Sequence, residues 1–313
     1  MTSPRVAVLL ASRNGERFLP AQLASLAAQS HRDWCLFVSD DGSHDATRAI
    51  VAGFAADVGD ERVRLYDGPC RGFVANFLSL VCHDDVGAAN AGYFAFCDQD
   101  DVWHSDKLAR ALTALAAAPQ AGHPARLYGG RTRLIDEQGR ETGLSPPFAA
   151  PLSFANALVQ SYAGANTMVF NAAARELLCR CGSPEGIASH DWWTYLLVSG
   201  VGGRLLYDPL PVLDYRQHAA NAQGHNRGFA ARLARLRDLL AGRMRGWNAC
   251  HVAALEAHAE LLTAPNRVAL AHFHRALDGC GPAAARALCA SGARRQRAID
   301  NLALFSCALL GRL

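Results

Sequence analysis

Two patterns of apolar and polar positions alternate over the first 130 residues. Continuous apolar runs that end in polar residues are typical of buried parallel strands, and they lie at 5–12, 33–43, 62–66 and 93–97. The segments between these runs repeat apolar residues at helical spacing, as at Leu19, Leu23 and Leu26. Strands alternating with helices predict an α/β fold with a doubly wound, mostly parallel sheet flanked by helices.

The pattern changes beyond this region. A small hairpin is expected first, then a helix over 187–203 that begins at Ser189 or His190, and then the extended segment "RLLYDPLPVLDYRQH". The remainder is rich in alanine, leucine and arginine, which predicts helices to the end of the chain. We therefore expect a first domain over 1–225 and a helical, basic appendage over 226–313.

Composition narrows the class of protein. The chain has 313 residues and half of them are hydrophobic, which is enough for a full core and argues against wholesale disorder. The apolar run near Met1 is too short for a signal peptide, and no stretch reaches the roughly 20 apolar residues of a membrane span. Ten cysteines without zinc-ligand spacing are expected to be reduced thiols. These features predict a cytoplasmic protein.

Charge is divided unevenly along the chain. Residues 225–313 hold 13 arginines, no lysine and 5 acidic residues, a net charge of +8, whereas residues 1–224 carry −5. A basic region suits an anionic surface, but these arginines lack the interleaved aromatic residues of a base-stacking platform, which argues against nucleic acid. With the apolar "NLALFSCALLGRL" at the end, two expectations stay open and are compatible: a helical region packed on the first domain, and a helix lying on the inner face of a membrane.

Three carboxylates crowd the end of the fourth predicted strand, in "FCDQDDVWHSDKL". Like charges at this spacing repel and need a positive partner, and the only lysine of the chain is Lys107. Mg²⁺ would explain Asp98, Asp100 and Asp101, because it takes one or two carboxylates and completes its shell with water and substrate phosphates. A solvated turn whose Ser105 caps the next helix is the weaker alternative.

Further candidate residues lie in three separate motifs. Asp41 lies in the segment "DDGS". Its carboxylate could accept a hydrogen bond from a base N–H or a ribose hydroxyl, and the segment fits a simple turn equally well. Asp191 begins a helix beside His190 and Trp192; it is either a first-turn acid stabilised by the helix dipole or a general base next to an aromatic surface for a sugar ring. The spacing of His218, in "YRQH", is more typical of a satisfied polar histidine than of a metal or phosphate ligand.

The motifs together resemble those of family-2 glycosyltransferases with a GT-A-type (Rossmann-like) fold. The resemblance covers about residues 5–225 and rests on "VAVLLASRNGERFLPAQLASLAAQS", "VSDDGSHDAT", "FCDQDDVWHSDKL", "SHDWW" and "YRQHAANAQG". The blocks "DQDDVW" and "YRQH" are most similar to bacterial rhamnosyltransferases of cell-surface polysaccharide assembly. A catalytic domain is implied, with a nucleotide-sugar half at about 1–130 and an acceptor half at about 131–225.

The resemblance implies roles for residues near the donor. Asp41 would contact the nucleotide base, with Ser12 and Asn14 nearby. Arg13 stands where the family usually has an aromatic residue, although a guanidinium also stacks on a base. Asp98 would contact the nucleotide-sugar as part of the position of the family's DxD motif.

The resemblance also implies which residues bind the metal, act as the catalytic base and contact the acceptor. Asp100 or Asp101 would bind Mg²⁺ or Mn²⁺ directly, and His218 would lie near the metal or the diphosphate. Asp191 would be the catalytic base. The loops around these residues set specificity, so we also expect donor contacts from Arg71 and Asn76 and acceptor contacts from His190 and Trp192.

The implied reaction is a metal-dependent, inverting transfer of a sugar, rhamnose in particular. The donor would be dTDP-rhamnose or a UDP-sugar, and the acceptor a cell-surface glycan or a lipid-linked molecule. A catalytically degenerate scaffold at the membrane is the first alternative, and the presence of every acid that the chemistry needs argues against it. A metal-dependent nucleotidyltransferase is the second; it would show a phosphate loop rich in glycine and lysine, whereas "LLASRNGERFL" has one glycine and no lysine.

Overall fold

The computed structural model describes residues 4–119, 122–218 and 243–313, and the chain divides into two compact units. The first comprises Met1–Pro147, Ala163–Ser183 and Arg204–Gln217, and the second comprises Phe148–Tyr162, Pro184–Gly203 and His218–Leu313. The chain passes from one unit to the other several times. Residues of the expected acceptor half, 131–225, therefore belong to both units.

The described strands all belong to the first unit. In chain order they are β1 (Val6–Ser12), β2 (Trp34–Asp40), β3 (Val63–Asp67), β4 (Tyr93–Cys97), β5 (Val102–Trp103), β6 (Arg126–Ile135), β7 (Glu141–Leu144), β8 (Val169–Asn171) and β9 (Arg204–Arg216). The helices are α1 (Leu19–Ala27), α2 (Thr47–Val58), α3 (Phe73–Val81), α4 (Asp84–Ala88), α5 (Lys107–Ala117), α6 (Phe154–Ala157), α7 (Ala172–Cys181), α8 (His190–Gly200), α9 (Arg243–Glu256), α10 (Ala264–Asp278), α11 (Gly281–Ser291) and α12 (Ala298–Leu309). Of these, α6 and α8 to α12 belong to the second unit.

The strands form one sheet in the order β3-β2-β1-β4-β8-β6-β9-β5, and β7 pairs in addition with the end of β6. Strands β1 to β4 are parallel, as the alternation of strands and helices predicts. The other half is mixed: β8 runs antiparallel to β4 and β6, β9 is parallel to β6, and β5 and β7 are antiparallel additions. The predicted parallel pairing holds for the first four strands and for the long β6–β9 pair, whereas the antiparallel strands were not predicted, because an apolar run does not encode the direction of its strand.

The centre of the first unit is β1. Its residues from Val6 to Leu10 are fully buried, since helices cover both faces of the parallel strands. On one face the predicted stripe of α1, Leu19, Leu23 and Leu26, packs into the same apolar cluster as the core residues of α5. This packing fixes where the strands end, and it thereby positions the polar residues that follow them.

The segment after the acidic cluster differs from its prediction. Ser105 does not cap α5, because the helix begins at Lys107 and no side chain caps it. Instead, the carbonyl of Ser105 accepts a hydrogen bond from the N–H of Ser30 at 2.7 Å. Val102–Trp103 forms the short strand β5, which pairs with β9. The acidic loop is therefore held against the sheet on its C-terminal side.

A half-buried cluster of polar and charged side chains joins β6 and β9 to the residue that follows β5. Asp214 accepts two hydrogen bonds from the guanidinium of Arg133, at 2.6 and 2.7 Å, and lies 2.8 Å from Nε2 of His104. Burial alone would raise the pKa of Asp214, but the hydrogen bonds from His104 and Arg133 outweigh it and lower the pKa to about 2. The folded protein thus stabilises the ionised carboxylate.

We expect Asp214→Asn to lower the free energy of unfolding by about 2 kcal/mol at neutral pH. The folded pKa of about 2 lies below the ordinary aspartate value, so this contribution is complete above about pH 4 and is lost as the pH falls towards 2. Urea unfolding at several pH values would measure it. Asp106→Asn, at an acid whose side chain is 55% exposed in the same unit, is the control. The assignment of this stability to ionised Asp214 would be contradicted if the difference in free energy of unfolding between wild type and Asp214→Asn stayed constant as the pH was lowered towards 2.

The second unit is organised around α8, all of whose residues are buried. The hydroxyl of Tyr195 lies 3.0 Å from Oδ1 of Asn156 and 3.1 Å from the N–H of Ser153, which fixes α8 to the start of α6. Helices α9 to α12 confirm the predicted helical character of the C-terminal region from residue 243; the earlier part of that prediction lies outside the described residues. None of the helices in the described ranges has the length and apolar character to cross a membrane.

Candidate active site

The polar ends of three neighbouring strands meet at one edge of the parallel half of the sheet. Ser12 at the end of β1 pairs with Asp40 at the end of β2, and Leu10 pairs with Cys97 at the end of β4. Asp41 and the acidic loop at 98–101 are the next residues along the chain, so they lie at the same edge. The structure thus brings together the predicted donor-site residues of the first unit.

Gln99, which the sequence analysis did not single out, ties the acidic loop to the loop after β1. Its Oε1 accepts the N–H of Arg13 at 2.9 Å, and its Nε2 donates to the carbonyl of Arg13 at 3.1 Å. Gly15 leaves room for this side chain, because an added Cβ would lie 2.5 Å from Oε1 of Gln99 and the amide would have to shift. The reciprocal pair holds the exposed side chain of Arg13 at the edge of the sheet.

Asn14 links the β1 loop to the turn after β2. It adopts a left-handed conformation, with φ of 49°, that asparagine tolerates better than most residues. Its N–H donates to Oγ of Ser43 at 2.8 Å, and its Oδ1 accepts the N–H of His44 at 2.9 Å. Ser12 donates to Asp40 at 3.3 Å. Ser12 and Asn14 therefore shape this edge through the turn that carries Asp41.

Asp41 is buried beneath the loop that follows β3. Its carboxylate accepts the N–H of Cys70 at 2.6 Å and the N–H of Gly72 at 3.2 Å. Gly68 lies so close that an added Cβ would be 2.9 Å from the Cα of Asp41. The carboxylate of Asp41 thus holds the loop over the end of the sheet, and the base contact predicted for it stays a prediction.

The two expected donor contacts from this region differ in exposure. Arg71 is exposed at the tip of the loop. Asn76 is 1% exposed, and its side chain makes two hydrogen bonds with Ser39, to the hydroxyl and to the carbonyl. Asn76 therefore anchors α3 to β2, and of the two residues only Arg71 presents its side chain to solvent.

The three acids of the cluster have different surroundings. Asp98 and Asp100 are half-buried, whereas Asp101 is fully buried. One oxygen of Asp101 accepts from Nδ2 of Asn166, and the other accepts the N–H of Arg216 at 3.1 Å. Burial raises the pKa of Asp101 well above its ordinary value, and the neighbouring charges of Asp100 and Asp98 raise it further. Asp101 thus faces the interior, and Asp98 and Asp100 are the acids at the surface of this loop.

Arg216 supplies part of the positive charge that the cluster needs. It is 6% exposed, and its Nε donates to the carbonyl of Asp100 at 3.0 Å. Its Nη1 reaches the carbonyls of Asp136 and Glu137, at 3.3 and 3.2 Å. One guanidinium therefore joins the acidic loop to the turn after β6.

Lys107, the only lysine, lies behind the cluster rather than in front of it. It is fully buried, donates to the carbonyl of Asn166, and its Nζ lies 3.0 Å from the centre of the Trp103 ring. Burial lowers the pKa of Lys107 to about 7, while nearby Cys97 and Asp101 oppose the decrease. Lys107 and Asp101 both bind Asn166, so the interior side of the acidic loop is a connected polar network.

Asp191 lies in the second unit, in the first turn of α8. It is 6% exposed, and Oδ1 accepts the N–H of Trp192 at 2.8 Å. Burial raises the pKa of Asp191 above its ordinary value, and hydrogen bonds from Ser189 and from the N–H of Trp192 oppose this only in part. A carboxylate with a raised pKa is a better proton acceptor at neutral pH, which is the property that a general base needs.

The predicted acceptor contacts are interior residues. His190 is 2% exposed, and burial lowers its pKa to about 3, so that it is neutral. The indole N–H of Trp192 donates to the carbonyl of Ala157 at 2.6 Å, and its ring packs edge-on against His251. Both side chains support the start of α8, and their contact with an acceptor stays a prediction. His218 is half-buried and follows β9.

A family model described as Glycosyl transferase family 2 matches residues 7–178, more than half of the chain. The chain belongs to glycosyl transferase family 2. The match begins in β1 and ends in α7, and it includes the loops at the carboxyl ends of β1, β2 and β4. The protein is accordingly a nucleotide-sugar-dependent glycosyltransferase, as the motifs predict.

Known relatives and solved structures agree with this family. The chain is 28% identical over 236 residues to the dTDP-rhamnosyl transferase RfbG of Shigella flexneri, covering 72% of this chain and 78% of the relative. A second relative is the Escherichia coli UDP-Glc:α-D-GlcNAc-diphosphoundecaprenol β-1,3-glucosyltransferase WfgD. The chain is 30% identical to it over 103 residues, which are 33% of this chain and 38% of that protein. The mannosyltransferase PcManGT of Pyrobaculum calidifontis, solved with GDP-Man and Mn²⁺, superimposes with a TM-score of 0.54 at 18% identity, over 99% of this chain and 86% of that one. The TarS fragment 1–349 of S. aureus superimposes with a TM-score of 0.56 at 14% identity, over 92% of this chain and 89% of that one. These similarities confirm the GT-A fold.

A divalent cation fits only part of the predicted ligand set in this family-2 chain. No group of three or more His, Cys, Asp or Glu side chains in the described ranges is arranged to hold a metal ion. Asp98 and Asp100 provide hard carboxylate oxygens near the surface, and such a pair suits Mg²⁺ or Mn²⁺ that is otherwise held by phosphates and water. Asp101 is fully buried and both of its oxygens accept hydrogen bonds, and direct metal binding by Asp100 or Asp101 stays a prediction.

Three residues that support the acidic loop were missed from the sequence: Gln99, Asn166 and Arg216. Lys107 was noted as the only lysine but was given no position in the site. Gln99 lies inside the "DQDD" block, and Arg216 lies inside "YRQH", so both stood in motifs already noticed. Asn166 gives no local signal, because it approaches Asp101 from 65 residues away.

Proposed function

We propose that this glycosyltransferase moves rhamnose from dTDP-rhamnose to a hydroxyl of a cell-surface glycan or a lipid-linked acceptor, with inversion at the anomeric carbon and with Mg²⁺ or Mn²⁺. The observation that supports the donor site most is that Asp41, Asp98 and Asp100 lie at one edge of the sheet. There Arg216 donates a hydrogen bond to the carbonyl of Asp100. The choice of rhamnose is supported by the similarity to the rhamnosyl transferase RfbG over most of both chains.

The donor loops bind and orient the nucleotide. Asp41, held under the loop after β3, presents an acceptor to a base N–H, and the exposed Arg13 and Arg71 attract the diphosphate and the base. Asp98 and Asp100 hold the cation, which when bound would neutralise the charge that develops on the leaving nucleoside diphosphate. His218 acts as a further contact to the diphosphate.

The acceptor is activated by Asp191. Its carboxylate takes the proton of the acceptor hydroxyl while that oxygen forms a bond to the anomeric carbon and the bond from this carbon to the diphosphate breaks. Attack from the face opposite the leaving group inverts the configuration. The buried surroundings of Asp191 raise its pKa and so keep it basic enough for this role.

A thermal-shift comparison tests the donor assignment. Wild-type protein is measured with dTDP, dTDP-rhamnose, UDP and UDP-glucose, each with Mn²⁺ or with EDTA. Binding to the folded state raises Tm by mass action, and we expect a rise of several degrees with the dTDP ligands that depends on Mn²⁺. A larger rise with UDP species would reassign the donor, and no rise with any nucleotide in folded protein would contradict a donor site at this edge.

A further inference from the structure

The last helix exposes an unusual concentration of large apolar side chains. Five of them, which we call the α12 surface, have exposed fractions of 61, 64, 38, 39 and 65%: Ile299, Leu302, Phe305, Leu309 and Leu310. The first four recur every three or four residues within α12, so they share one side of the helix, and Leu310 follows its last residue. The opposite side, with Leu304, Cys307 and Ala308, is buried in the second unit. Both faces of this helix are therefore apolar, but among the described residues of the unit only one of them is covered.

Basic residues lie at both ends of the α12 surface. Arg294 and Arg297 precede the helix and Arg312 follows it, and all three are exposed. Asp300 is the only acid between residue 292 and the end of the chain, so this segment is clearly cationic. Arginines beside an apolar face extend their stems along it and keep their charged ends at its rim.

Hydrogen bonds hold the backbone of the turn before α12. Asn301, in the first turn of α12, accepts the N–H of Arg295 at 2.7 Å and donates to the carbonyls of Arg295 and Arg297, at 3.0 and 3.1 Å. The carbonyl of Arg294 accepts from Nδ2 of Asn156 at 2.8 Å. The backbone of the arginine-rich turn is thus attached to the second unit, and the arginine side chains start from defined points beside the helix.

We propose that the α12 surface docks the protein on the surface of an anionic lipid bilayer, with α12 lying in the plane of the membrane. The apolar side chains would enter the boundary between headgroups and acyl chains, and Arg294, Arg297 and Arg312 would bind anionic headgroups. The charge decides between occupants, since a second copy of the chain would bring like-charged arginines together whereas an anionic bilayer neutralises them. The proposal does not rest on the identity of the donor or the acceptor.

Vesicle flotation of the full chain tests the docking without any transferase assay. The vesicles consist of phosphatidylcholine alone or of phosphatidylcholine with phosphatidylglycerol. We expect binding to the anionic vesicles, weakened by added salt, and little binding to the neutral ones. Leu302→Glu should lower the partition coefficient by about tenfold or more, because it places a charge in the apolar face.

Leu210→Glu is the matched control, because Leu210 of β9 is also 64% exposed and belongs to the first unit. Arg294→Gln combined with Arg297→Gln should lower binding to anionic vesicles by roughly tenfold. The proposal is overturned if folded wild-type protein fails to bind anionic vesicles, or if Leu210→Glu and Leu302→Glu weaken binding equally. A dimer in sedimentation that Leu302→Glu dissociates, without vesicle binding, would assign the surface to a second copy instead.

Discussion

Asp191→Asn is expected to lower kcat by about 10²–10⁴-fold and to leave donor binding unchanged. Asparagine has nearly the same shape as aspartate and can still accept the N–H of Trp192, but it cannot take a proton from the acceptor. Single-turnover rates give the chemical step, and the nucleotide-dependent thermal shift gives donor binding. Since burial raises the pKa of Asp191, the acid limb of the wild-type kcat profile should lie above the ordinary aspartate value.

Asp278→Asn is the control for this experiment, because that side chain is 71% exposed in the same unit. It should leave both kcat and Tm unchanged. An Asp191→Asn enzyme that retains nearly normal kcat would remove Asp191 from the chemistry and leave it as a helix-start residue. A variant with a large decrease in Tm would show that its lost activity reports folding, so the two measurements are made on the same preparation.

Asp100→Asn is expected to abolish the Mn²⁺-dependent part of the donor thermal shift and to lower kcat/KM by roughly 10²-fold or more. An amide is a neutral and weaker ligand for a hard cation than a carboxylate. The fold should tolerate the change, because Asp100 is half-buried and its contact with Arg216 is made by its backbone carbonyl. Titration of Mn²⁺ against the rate would show whether the effect lies in metal affinity.

Asp101→Asn separates metal binding from support of the loop. In this variant one of the two hydrogen bonds to Asp101 becomes a contact between two donors, which costs about 1–3 kcal/mol of stability. We therefore expect a lower Tm with a retained response to Mn²⁺, the opposite of Asp100→Asn. If Asp101→Asn loses the Mn²⁺ response while its Tm is normal, Asp101 rather than Asp100 is the direct ligand.

The sequence could group the residues of the candidate donor site because they follow strand ends. An apolar run announces a buried strand, and parallel strands place their carboxyl ends at one edge, so Ser12, Asp41 and Asp98 could be grouped without coordinates. The same reasoning could not separate Asp98 and Asp100 from Asp101. Their difference depends on Asn166 and Arg216, which arrive from distant parts of the chain.

By itself the sequence determined the helices and strands of the parallel half, the polar residues that end those strands, and the basic character of the C-terminal region. These depend on local periodicity and composition. Only the tertiary structure decided the mixed direction of the remaining strands, the burial of Asp101, Lys107 and His190, and the exposure of one apolar face of α12. The physical reason is that burial and hydrogen-bond partners are set by residues far apart in the chain, and a local pattern carries no information about which distant residue will fill the space beside it.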